Sequence, residues 1–231
     1  MPPMMISGIG RHVLEQLAKA SLGTEVLYSF VIIAVSLIIY FGTKEMYNLT
    51  SHKGIKYFRL AFLFFAITFF FRSFIKFLLL SFDIERAIEI QGIGILSFLV
   101  FMYASSMAIF YLLYSVMWKK WGENKITIFH ILAIAIAVVA FIIRSPGIIL
   151  LIHLILFAFL AIVIFLSYHE SKKRRKGHHL HVIYMLLFAF WILNIMDLAT
   201  NALGTFKLLV YLASTRIFLT ILYRVISKLG A

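Results

Sequence analysis

The sequence predicts an all-α, polytopic membrane protein with seven transmembrane helices, and three observations carry that prediction. Apolar stretches of about twenty residues, nearly free of charge, recur seven times within 231 residues. Hydrophobic residues make up 63% of the chain and charged residues 13%, at a mean hydropathy of +1.02, which is too little polar surface to cover a water-soluble globule. The 22 Lys and Arg residues lie mostly in the short segments between apolar stretches, alternately dense and sparse. Helices crossing a hydrocarbon layer about 30 Å thick need roughly 20 residues each, so seven nearly exhaust the chain. Residues 1–231 therefore form a single transmembrane domain with brief loops.

Lys and Arg near helix ends are retained on the cytoplasmic side. Lys44, Lys53, Lys56 and Arg59 follow span one, Lys119, Lys120 and Lys125 follow span three, residues 172–176 follow span five, and Arg224 and Lys228 end the chain: fourteen cations on one side. The other side has five, Arg11, Lys19, Arg86, Arg144 and Lys207, together with acids such as Asp83, Glu85 and Glu89. The N-terminus is expected outside and the C-terminus inside. The net charge of +13 is then matched by anionic lipid headgroups at the cytoplasmic basic loops, not by nucleic acid. The absence of cysteine excludes disulfides, thiolate metal sites and a Cys nucleophile.

Met1-Pro2-Pro3-Met4-Met5 lacks the basic start of a secretory signal, so insertion is expected to rely on the first span. Residues 5–22 place Ile9, Val13, Leu14 and Leu17 at helical spacing among Arg11, His12, Glu15 and Lys19, which predicts a short amphipathic helix on the outer interface, stopped at Gly23. The spans are predicted at Val26 to Phe41, Leu60 to Leu80, Ile93 to Met117, Ile126 to Ile143, Ile148 to Tyr168, Val182 to Leu203 and Leu208 to Ile226. Arg144-Ser145-Pro146-Gly147 parts the fourth from the fifth and favours a tight antiparallel pair. Trp118 and Trp121 flank a basic loop, as interfacial anchors do. Small residues Ala104, Ser105, Ser106 and Ala108 allow close backbone approach and predict a central third span. Asn48-Leu49-Thr50 matches a glycosylation acceptor but falls on the cytoplasmic side, where that modification does not occur.

Lys53-Gly54 before span two and Lys176-Gly177 before span six share an offset that also aligns Leu63 with Leu186 and Phe65-Ala66 with Phe188-Ala189. This weak internal match predicts a 3+1+3 arrangement. That layout resembles the sugar-transporting SWEET proteins and their PQ-loop relatives. Their Pro-Gln pair and helix-kinking prolines are absent, however, since the only prolines are Pro2, Pro3 and Pro146. A seven-helix rhodopsin needs a Schiff-base lysine in its last helix, where Arg216 stands instead.

Ionisable side chains within a bilayer cost about 2.5 to 3.5 kcal/mol each on insertion scales, so those present require a reason. Span two holds Arg72 and Lys76 on one face, span six holds Asp197 with Asn194 and Asn201 on its face, and span seven holds Arg216. At about 1.5 Å per residue, Arg72 and Asp197 lie about 21 to 22 Å from the inner boundary and Arg216 about 17 Å, so the three share a slab. Asp197 is expected between the two guanidinium groups, leaving a positive excess for an anion, with Lys76 snorkelling outward. Tyr103, Ser105, Ser106, Ser214 and Thr215 are further polar candidates.

Eight histidines raise the question of haem, and His130 with His181 is the one pair at matching depth near the inner side. No cofactor or metal is expected, and each imidazole is expected to be interfacial or hydrogen-bonded. The basic, histidine-rich segment from His169 to His181 suits an anionic lipid surface. P-loop, dinucleotide, HExxH and GxSxG signatures are missing, as are paired intramembrane carboxylates, so an enzyme is not expected. The expected function is a small transporter or channel-like carrier for an anionic solute or lipid headgroup. The alternative is a seven-helix sensor, receptor or assembly subunit, with a second copy or another membrane protein as partner. Many Ile and Lys with sparse Gln point to a prokaryotic plasma membrane.

Overall fold

The computed structural model describes residues 8–81, 87–119, 121, 125–143, 145–173, 178–199 and 204–229, with side chains described over 23–78, 92–119, 121, 125–143, 145, 147–169, 181–197 and 206–227. Long runs of Leu, Ile, Phe and Ala without internal proline form seven helices: α1 (Gly8–Thr50), α2 (Lys53–Ser81), α3 (Ala87–Met117), α4 (Lys125–Ile143), α5 (Pro146–Lys173), α6 (His178–Ala199) and α7 (Gly204–Leu229). Six are long and apolar enough to cross a bilayer within their described residues, and α6 contributes a shorter apolar segment, His181–Asp197. The protein is a helical integral membrane protein.

Contacts between neighbours close a ring in the order α1, α2, α3, α5, α6, α7 and back to α1, while α4 lies outside it against α3 and, more lightly, α5. One apolar core runs through all seven helices. Phe62, Phe65, Phe190 and Phe218 fill the ring interior, their rings 4.6 to 6.4 Å apart in tilted and edge-on pairs. α3 is buried at every position from Ala104 to Ser115, which fits the expected central third span.

Two expectations are corrected. Gly23 does not end a helix: α1 runs unbroken from Gly8 to Thr50, 43 residues or about 65 Å. A glycine stops a helix by adopting a left-handed conformation, and no described glycine has positive φ. That conformation appears instead at Ser51, φ 49°, whose N–H donates to the Tyr47 carbonyl at 2.7 Å and turns the chain into α2. The amphipathic face expected over residues 5–22 lies outside the described side chains. The second correction concerns α4, which rests on α3 and is not closely paired with α5. Its buried residues are Ala133, Ala137 and Ala140, a small-residue stripe, and Phe129 stacks on Phe110 of α3 at 5.1 Å.

Candidate functional site

The polar residues of α2 and α6 meet across the ring. Arg72 is the centre: its Nη1 donates to Asn194 Oδ1 at 3.0 Å, its Nη2 pairs with Asp197 Oδ2, and its Nε reaches Glu25 Oε1 of α1 at 3.4 Å. The guanidinium also stands over the Phe69 ring, 5.7 Å from its centroid. Lys76, one turn along the same face, pairs with Glu25. Asn194 is fixed by its own donation to the Phe190 carbonyl at 2.8 Å, so its amide oxygen is turned toward Arg72 and toward the Tyr28 hydroxyl at 3.5 Å. Tyr28 in turn stacks on Tyr211 of α7 at 4.5 Å. Four helices, α1, α2, α6 and α7, are tied at one level.

Charge balances inside this cluster, because Glu25 and Asp197 face Arg72 and Lys76. Burying such groups is tolerable only when each finds partners, and here each does. Side-chain exposure is 4% at Glu25 and Asp197, 17% at Arg72 and 36% at Lys76, so access improves toward the end of α2 that the charge pattern assigns to the outside.

Beside the cluster lies a cavity of about 390 Å³ walled by α2, α3, α5, α6 and the start of α7. Its charged wall is Arg72, Lys76, Lys207 and Asp197, and Phe65, Phe69, Phe98 and Phe101 are among its apolar residues. The lining thus carries three cations and one carboxylate, and adding Glu25 behind them leaves one positive charge in excess. His153 of α5 also lines it, with Nδ1 held by the Ile149 carbonyl at 2.8 Å. Among the described residues, three that line it have a buried polar atom without a hydrogen-bond partner: Ser105 Oγ, Trp191 Nε1 and Asp197 Oδ1.

Of the residues expected here, Arg72, Lys76, Asn194, Asp197 and Ser105 converge. Arg216 does not: it is exposed on the outer face of α7, so the positive excess comes from Lys207 instead. Matching depth along two helices says nothing about the direction each side chain takes around its axis. Lys76 pairs with Glu25 and does not snorkel free. Tyr103 turns to α4, bonded to His130 Nδ1 at 2.7 Å, and Ser106 is fully buried with its hydroxyl on the Met102 carbonyl at 2.9 Å. Asn201 lies outside the described residues. The His130 and His181 haem pair is not formed, since Tyr111 binds His130 Nε2 at 3.1 Å while Tyr103 holds the other nitrogen, and α4 does not touch α6.

Sequence reasoning missed Glu25, His153, Trp191 and Lys207. Lys207 lies one residue before the predicted start of span seven and counts there among the cations of the outer side, while Glu25 lies one residue before span one. A carboxylate one residue outside a span, at the height of a lysine in the next, was the available signal.

A protein of Archaeoglobus fulgidus described as an uncharacterized protein is 31% identical to this chain over 213 residues, covering 90% of this chain and 93% of its own length. The two chains belong to one family. The match covers most of the length of both chains. No protein-family model matches the chain, and no solved structure matches it.

Proposed function

We propose that the protein is a small carrier of a prokaryotic plasma membrane that receives an anionic solute or lipid headgroup in the cavity beside Arg72. The observation that carries this reading is the lining itself: Arg72, Lys76 and Lys207 against one carboxylate, with phenylalanines beyond them. A volume of about 390 Å³ is within the range of small-molecule sites, and an apolar wall with a few polar groups is the usual composition of one. Lys207 would supply the charge that attracts the anion, Arg72 a planar donor fork held in place by Asn194 and Asp197, and Phe98 and Phe101 the surface for an apolar portion.

Uptake of labelled organic anions into proteoliposomes tests it. Flux that falls about tenfold or more in Lys207→Gln, and is unchanged in Arg216→Leu, supports the carrier. Absence of flux for every anion, with no binding, refutes it. Binding without flux favours the second reading, a sensor or assembly subunit, for which the outward-facing Arg216 is the specific support.

A further inference from the structure

Arg216 has no place in the cavity, and its position calls for a separate explanation. It lies near the middle of α7, about 18 Å of helix from Gly204 and about 20 Å from Leu229. Its side chain is exposed among Leu209, Leu212, Leu219 and Tyr223, whose exposures of 61, 59, 46 and 73% mark the helix face turned away from the ring. Among the described residues its side chain makes neither a hydrogen bond nor an ion pair, and only its backbone carbonyl is used, by the Thr220 hydroxyl. The α7 backbone packs against α1 and α6, and its Phe218 reaches Phe62 and Phe65 of α2 on the ring side, so among the described residues nothing covers the face that carries Arg216.

A guanidinium at that depth is not solvated by acyl chains. With headgroups about 15 Å from the bilayer centre, one arginine side chain does not span the distance to a lipid phosphate. A second copy is a poor match too, because a parallel two-fold pair through α7 sets Arg216 against Arg216. Among the described residues no exposed carboxylate sits at this height: Glu25 and Asp197 are buried and engaged, and Glu45 stands near the other end of α1, five residues from Thr50. We infer that the outward face of α7 docks a transmembrane helix of another membrane protein carrying an Asp or Glu at mid-depth. Such a carboxylate would take the guanidinium fork in a charge-assisted pair. Ala213, one turn before Arg216 and exposed on the same side, lets the partner backbone come close. This surface is independent of the cavity and stands whether or not the carrier reading does.

The test uses the full-length protein in proteoliposomes with a single-span Leu/Ala peptide bearing Glu at its centre, and energy transfer between labels as the readout. Because the residue sits near mid-depth, the peptide's orientation does not matter. The Glu peptide is expected to associate about tenfold more tightly than its Gln counterpart. Arg216→Leu should abolish that preference, and Arg216→Lys should keep part of it. Arg216→Leu removes a charge from lipid and is expected to fold, which circular dichroism verifies. Equal association of Glu and Gln peptides overturns the inference, as does a preference that survives Arg216→Leu. Arg216-dependent transfer between two labelled copies of this chain assigns the face to self-association and likewise overturns it.

Discussion

Two arginines of one chain, both within spans, are treated in opposite ways. Arg72 has three side-chain partners from two helices, while Arg216 has none among the described residues. Arg72→Leu is therefore expected to cost about 3 to 5 kcal/mol, since it leaves Asp197 buried with an uncompensated charge. Arg216→Leu should leave stability in detergent unchanged or raised. Thermal unfolding of the two variants side by side checks the contrast, and equal losses would contradict it. Glu25→Gln should cost less, about 1 to 3 kcal/mol, because Lys76 is the most exposed member and can hydrate. Helical spacing made the pairs Arg72 with Lys76 and Asn194 with Asp197 legible from sequence, as each lies on one face. Azimuth was not legible for Arg216, because bulky apolar residues lie on both faces of α7, Tyr211 and Phe218 toward the ring and Leu212 and Leu219 away from it.

At the scale of the element, the number of helices was legible because apolar length against bilayer thickness is a strong constraint, whereas charged and polar residues hid the end of α1, at Thr50 and not Phe41, and the start of α2, at Lys53 and not Leu60. The continuity of α1 was not, since a glycine in sequence signals a stop only if the backbone there turns left-handed. Gly54 matters for a different reason. A Cβ at that position would stand 3.0 Å from the Ser115 carbonyl oxygen and 2.9 Å from the His52 ring, so the start of α2 approaches the end of α3 only without one. Gly54→Ala is expected to lower stability by about 1 to 3 kcal/mol, the usual cost of overpacking, while Gly92→Ala, with open space around it, should not. Melting curves of both variants decide this. The place of α4 outside the ring also escaped the sequence, because a short link to α5 fixes only where the two helices meet and not which neighbour each packs against.

The whole molecule is a ring of six helices with α4 outside it, and aromatic rings fill the interior and also flank the charged cluster around Arg72. Which helices face each other across such a ring depends on packing order, so the convergence of α1, α2 and α6 on Arg72 could be read only from the fold. The cluster ties α2 to α6, helices that are not backbone neighbours, and leaves the cavity as a pocket at their junction. The chain carries its own reporter there. Of its three tryptophans, Trp191 lines the cavity, while Trp118 and Trp121 stand on the link between α3 and α4. Titrating the purified protein with a short, water-soluble brominated carboxylate while following tryptophan emission is the most direct measurement. Saturable quenching, weakened about tenfold or more in Lys207→Gln and absent for the matching brominated amide, is the predicted result. Quenching that never saturates, or that is the same for the amide and in Lys207→Gln, would contradict an anion site in this cavity.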